Sequence, residues 1–135
     1  MGVIVVDRGP AVGFALAIAM AAIPDIGVTV GVAGGAVRLR GSVIFTNGSA
    51  AVSTYNVGLR KNGAVFDLSL RQIEIASTHR VYVSVEAVDE VAVPGDVYTI
   101  WVASNPAPGN TSVVSGYSSL EAEARQVVTT LTVSP

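Results

Sequence analysis

The chain has no cysteine among its 135 residues. That excludes disulfides, thiolate metal sites and a thiol nucleophile. It also has a single histidine, His79. A nucleophilic triad needs a histidine as its base, and a metal site on a β-barrel or sandwich needs several histidines plus a carboxylate. His79 opens an alternating segment beside Arg80 and reads as a surface or interface residue. Charged residues make up 13% of the chain and the formal net charge is −2. An average soluble domain carries about twice that charged share. No basic footprint for nucleic acid is present, so none is expected as a partner. The lone lysine, Lys61, stands among many arginines, which reads as codon bias in a GC-rich genome.

Long apolar runs are missing too, although 50% of residues are hydrophobic. The longest, Val12 to Ile23, is about half of what a membrane-spanning helix needs, and it ends at Pro24. It alternates small and large residues, as a strand does, and no segment is expected to span a membrane. Met1 is followed by Gly2-Val3-Ile4 with no basic n-region, so a secretory leader is not expected. So many apolar residues with so few charges imply that partners cover part of the surface.

What the chain does contain is period-2 alternation along most of its length. Phe14 to Met20 sets Phe14, Leu16, Ile18 and Met20 on one face and alanines on the other. Val37 to Phe45 puts Val37, Leu39, Gly41, Val43 and Phe45 on an apolar face, with Arg38 and Arg40 opposite. Asn47-Gly48 and Asn62-Gly63 are hairpin signals, because both residues tolerate positive φ. His79 to Val88 and Val97 to Val102 alternate again, and Pro94-Gly95-Asp96 marks a loop between them. Leu120 to Arg125 has some helical propensity but reads as strand in this setting. The pattern predicts an all-β sandwich of about eight to ten short antiparallel strands. Residues 1–11, with Gly9-Pro10, are read as an N-terminal arm leaving a single domain over residues 12–135.

Paired carboxylates can serve acid–base chemistry or hold calcium. Asp89 and Glu90 are neighbours, so an extended backbone points them to opposite faces, and both read as solvated. Asp96 reads as the organiser of its own turn. Glu121 and Glu123 share a face at strand spacing and likewise read as solvated. Trp101, Tyr98 and Tyr55 allow a sugar-stacking platform, but Trp101 sits between Ile100 and Val102, where packing is the simpler role. No catalytic residue, metal ligand or cofactor site is assigned, and the chain is not expected to be an enzyme.

Three stretches resemble the tumour-necrosis-factor/C1q-like jelly rolls, especially their phage-encoded relatives. They are Val37 to Asn47 (VRLRGSVIFTN), Val57 to Gly63 (VGLRKNG) and Glu86 to Val102 (EAVDEVAVPGDVYTIWV). The resemblance covers about Ala11 to Gln126 and rests on pattern, with no invariant catalytic signature; the family's usual Phe-Gly-rich final strand is not evident after Gly109. It implies a compact homotrimer that packs one sheet of each subunit around a threefold axis. Phe14, Leu16, Ile18, Tyr98, Ile100 and Trp101 are the residues expected in that trimer interface or in the core. Val3, Ile4, Val5 and Val6 are expected to form an arm that contacts a capsid. The function this implies is a virion structural protein: a trimeric decoration protein on the capsid surface of a tailed phage, with the major capsid protein as partner. The alternative is a receptor-binding or tail-fibre head that recognises a host glycan or protein.

Overall fold

Strands supply the regular structure throughout residues 3–10, 13–16, 19–31, 35–47, 53–65, 71–75, 79–105, 111–113, 118–124 and 130–133, which the computed structural model describes. In chain order they are β1 (Val3–Gly9), β2 (Phe14–Ala15), β3 (Ala21–Ala22), β4 (Val28–Val30) and β5 (Val37–Asn47). There follow β6 (Ser53–Lys61), β7 (Ala64–Val65), β8 (Arg71–Ile75), β9 (His79–Asp89) and β10 (Val97–Asn105). The last are β11 (Thr111–Val113), β12 (Ser118–Ala124) and β13 (Leu131–Val133). Among the described residues there is no helix.

β5 shows why these residues make strands. Val37, Leu39, Gly41, Val43 and Phe45 are all buried, while Arg38 and Arg40 are exposed, as a pleat with a two-residue repeat requires. The same parity buries Tyr55, Val57 and Leu59 on β6, and Tyr98, Ile100 and Val102 on β10. On β12 it buries Leu120, Ala122 and Ala124, so the segment with some helical propensity is strand.

Every pairing is antiparallel, and the strands form two sheets packed face to face as a β-sandwich. In the first sheet β5 pairs with β9 along its whole length. Its other side takes β12 and then β1 over one half, and β11 and then β2 over the other. In the second sheet β10 and β6 form the centre. β4 and β3 lie beyond β10, β13 lies beyond β4, and β7 and β8 lie beyond β6. Four of the pairings are nested in chain order: β1 with β12, β4 with β10, β5 with β9, and β6 with β8.

The core fills the space between the sheets, centred on Leu39, Phe45, Tyr55, Leu59, Ile100 and Leu120. Burying a side chain of this size contributes about 1.5–3 kcal/mol. Gly41 lets the sheets close over it. A methyl group there would stand 3.1 Å from Leu59 Cδ2, 3.3 Å from Val85 Cγ2 and 3.4 Å from Ile100 Cδ1.

Two expectations are corrected. Phe14 to Met20 is not one continuous strand. Among its described residues only Phe14–Ala15 pairs, with β11 of the first sheet, whereas Ala21–Ala22 pairs with β10 of the second. The chain crosses from one sheet to the other between them, which alternation cannot reveal. Ile18 lies outside the described residues.

The second correction concerns the arm. Residues 3–9 are paired residue by residue with β12, from Val3↔Ala124 to Gly9↔Ser118. The Asp7 carboxylate is buried, and its Oδ2 accepts a hydrogen bond from Gly27 N at 2.9 Å. Ladder bonds and this tether make β1 the edge strand of the first sheet, not an arm leaving it. The Asn62-Gly63 turn forms as expected, with φ of 53° and 81°; Gly48 of the other Asn-Gly pair lies outside the described residues.

Candidate functional site

Among the described residues, two groups of titratable side chains stand out. The first lies at one end of the sandwich, where the loop from β9 to β10 meets the β6–β7 turn. Lys61 continues the inward parity of Tyr55, Val57 and Leu59, so its stem runs toward the end of the core. Its Nζ lies 2.8 Å from Asp89 Oδ2 and 3.3 Å from Asp96 Oδ2. Tyr98 Oη donates to Asp89 Oδ2 at 2.7 Å, and Val91 N donates to Asp89 Oδ1 at 3.0 Å. Asn62 Nδ2 donates to Asp96 Oδ1 at 2.8 Å, and Val93 N donates to Asp96 Oδ2 at 2.9 Å. Asn62 Oδ1 accepts from Val97 N at 2.9 Å and completes the clasp.

Burial pushes the Asp89 carboxyl up, but the hydrogen bonds from Lys61 and Tyr98 outweigh it and hold the group below its ordinary value. Asp96 is likewise held low: burial raises it, and the bonds from Val93 N, Asn62 and Lys61 together prevail. The hydrogen bond to Asp89 raises Lys61. Burial, reinforced by Asp89, raises Tyr98 strongly.

Chemically the arrangement is a closed ion cluster. The position between the carboxylates that a calcium ion would need is held by the Lys61 ammonium, while Glu90 is exposed. Asp96 does organise its turn. The solvated reading of Asp89 is overturned, since its side chain is 3% exposed. Its parity with Val83 and Val85 directs it inward.

The second gathering is the outer face of the first sheet. The register places outward residues in level rows across the strands. One row is Ile4, Glu123, Arg38 and Val88; the next is Val6, Glu121, Arg40 and Glu86. Arg38 Nη2 and Arg40 Nε reach Glu86 Oε1 at 3.3 Å and 3.7 Å, all three about half exposed, and such pairs contribute little in water. A shallow furrow runs between the basic column of β5 and the acidic column of β12, lined by Arg38, Arg40, Glu121 and Glu123. Aliphatics flank it. Ile4 is 55% exposed, Val6 43% and Val88 49%, and farther along β9 Tyr82 is 59% exposed with its hydroxyl bonded to Ser42 Oγ at 2.7 Å.

The residues expected at the interface or in the core divide. Tyr98 and Ile100 are fully buried within one chain, Leu16 is buried, and Phe14 packs partly buried against the core. Tyr98, Ile100 and Leu16 are core residues with little surface to give a second copy. Trp101 is not core: it faces outward on the second sheet, where Nε1 donates to Thr99 Oγ1 at 2.8 Å. The Arg60 guanidinium caps its ring at 4.0 Å from the centroid. Of the expected arm residues, Ile4 and Val6 are exposed on β1, Val5 packs partly against the core, and Val3 heads the strand. The sequence reading missed the clasp and the adjacency of the two charged columns. Parity was the available signal for the clasp, but the columns required the strand order.

No protein-family model matches the chain, and no curated protein matches it in sequence.

Proposed function

We propose that the chain is a jelly-roll subunit that assembles with two further copies of itself, and that the trimer serves as a decoration protein on a tailed-phage capsid. Support for the jelly roll comes from the nested pairings. A jelly roll is a long hairpin rolled up, so its first strand pairs with its last and its innermost strands pair with each other. β1·β12, β4·β10, β5·β9 and β6·β8 follow that order.

The observation that carries self-assembly is the first sheet's outer face. Ile4, Val6, Tyr82 and Val88 are exposed together on one sheet whose centre carries charges of both signs. A face of this kind suits a protein surface: the apolar flanks gain from burial and the charges set the alignment. The ion cluster at the end of the sandwich is engaged in holding its loop, so it adds nothing to a catalytic reading. The capped ring of Trp101 favours the structural role over a glycan-recognising head.

The step to a capsid rests on the resemblance of the three stretches to phage-encoded relatives. Its test is to mix the purified chain with phage shells that lack their decoration protein and image them by electron microscopy. Added density at the threefold positions and a raised disruption temperature are the expected results. Bare shells would overturn the capsid assignment, and selective binding on a glycan array would favour the receptor-binding alternative.

A further inference from the structure

The register of the first sheet says more than that its outer face is sticky. Its two halves differ. The β1/β12 half carries aliphatics and then an acidic column, and the β5/β9 half carries a basic column and then Glu86 and Val88. Matching residues sit at the same height: Glu123 is level with Arg38, Glu121 with Arg40, and Ile4 with Val88.

Rotation about an axis parallel to the strands leaves height along the strand unchanged. Copies arranged round such an axis can therefore set the β5/β9 half of one against the β1/β12 half of the next. Arg38 then faces Glu123, Arg40 faces Glu121, Val88 faces Ile4 and Glu86 faces Val6, with no sliding needed. Each guanidinium has five N–H donors. Arg38 and Arg40 can thus take a second carboxylate while Arg38 keeps its hydrogen bond and Arg40 its longer ion-pair contact with Glu86. The furrow between the two columns gives the incoming side chains room. With three copies, every subunit gives one half to each neighbour and the ring closes, the condition for a finite assembly and not a filament.

We infer that the outer face of the first sheet is the contact between copies of this chain, with the Arg38/Arg40 column of one copy seated on the Glu121/Glu123 column of the next about an axis along the strands. This rests on the self-assembly proposed above and names the surface and the pairing that perform it. Tyr98 and Ile100 take no part, because they are consumed inside each subunit.

The test uses the full chain in sedimentation velocity and light scattering. Arg40→Glu and Glu121→Arg each place like charges across the contact, and each is expected to raise the concentration of half-dissociation by at least ~10-fold. Arg40→Glu/Glu121→Arg in one chain is expected to restore assembly with itself yet not to mix with differently tagged wild type, because each would then present like charges to the other. Both residues face solvent, and circular dichroism checks that the variants fold. A measurement without mutation runs alongside: the wild-type assembly weakens between about 0.05 M and 1 M salt, since screening shortens the reach of exposed charges.

Unchanged masses for the single variants, free mixing of the double variant with wild type, or indifference to salt would each overturn the inference and leave self-assembly standing. A wild-type chain that stays monomeric at the highest soluble concentration would instead sink the assembly reading itself.

Discussion

Lys61→Ala is expected to lower the unfolding free energy by about 3 kcal/mol and the melting temperature by roughly 10 °C. The cost comes from what is left behind. Asp89 and Asp96 are buried, and removing the ammonium strands two carboxylates that water cannot reach. The Lys61 side chain is 22% exposed, which sets the figure at the low end for a broken buried pair. Lys61→Ala/Asp89→Asn should recover at least ~1 kcal/mol of the loss, because it deletes a stranded charge. Urea unfolding at one fixed protein concentration measures both, the concentration being held because assembly adds to apparent stability. A Lys61→Ala chain as stable as wild type would show that the clasp does not hold the β9–β10 loop.

The same cluster gives stability a pH dependence whose sign follows from the shifts. Asp89 and Asp96 are held below their ordinary carboxylate value of 3.8. Their contribution is complete above about pH 4 and is lost as pH falls through the lower folded values. Lys61 is held above 10.5, and burial pushes Tyr55 up to about 12. Their contributions are complete below the ordinary values and are lost as pH rises toward the folded ones. Thermal melts should therefore show a plateau from about pH 5 to pH 9 with a fall on either side. The gap between wild type and Lys61→Ala should narrow toward pH 3, where protonation relieves the stranded carboxylates of the variant.

Phe45→Ala is expected to cost about 3–5 kcal/mol, the largest loss from any single truncation considered. Phe45 on β5 meets Tyr55 on β6 edge to face, with ring centroids 4.8 Å apart and planes at 65°, and both rings are fully buried. The pair joins the two sheets, and Tyr55 Oη is fixed by its bond to Thr46 O at 2.9 Å, so the surroundings cannot collapse into the space. Phe45→Leu keeps most of the volume and should lose no more than ~1.5 kcal/mol. Chemical denaturation of the two variants side by side checks the ranking. Equal losses would mean that shape at this point does not matter.

How far the sequence could be read depends on what each feature requires. β5 was legible because its alternation is strict, and so was the Asn62-Gly63 turn, because few residues tolerate positive φ. The inward direction of Lys61, Asp89 and Asp96 was also written in the chain. Each continues the parity of a buried series: Leu59 for the lysine, Val85 for Asp89, Tyr98 for Asp96. Assigning Lys61 to codon bias and Asp89 to solvent overlooked that parity. The destination of Phe14 to Met20 was not legible, because alanines and large residues alternate equally well beside either sheet. Nor was the edge position of β1, since Val3 to Val6 reads alike in an arm and in a strand.

Alternation and turn chemistry are properties of a residue and its neighbours, so the amino-acid order alone settles the all-β class, the strand faces and the tight turn at Asn62-Gly63. Strand order, the meeting of Lys61 with its two carboxylates, and the acidic column beside the basic one belong to residues far apart in the chain. Those were decided by the folded arrangement, because which strand lies beside which depends on burying both sheets' apolar faces at once, a condition that no local segment can express.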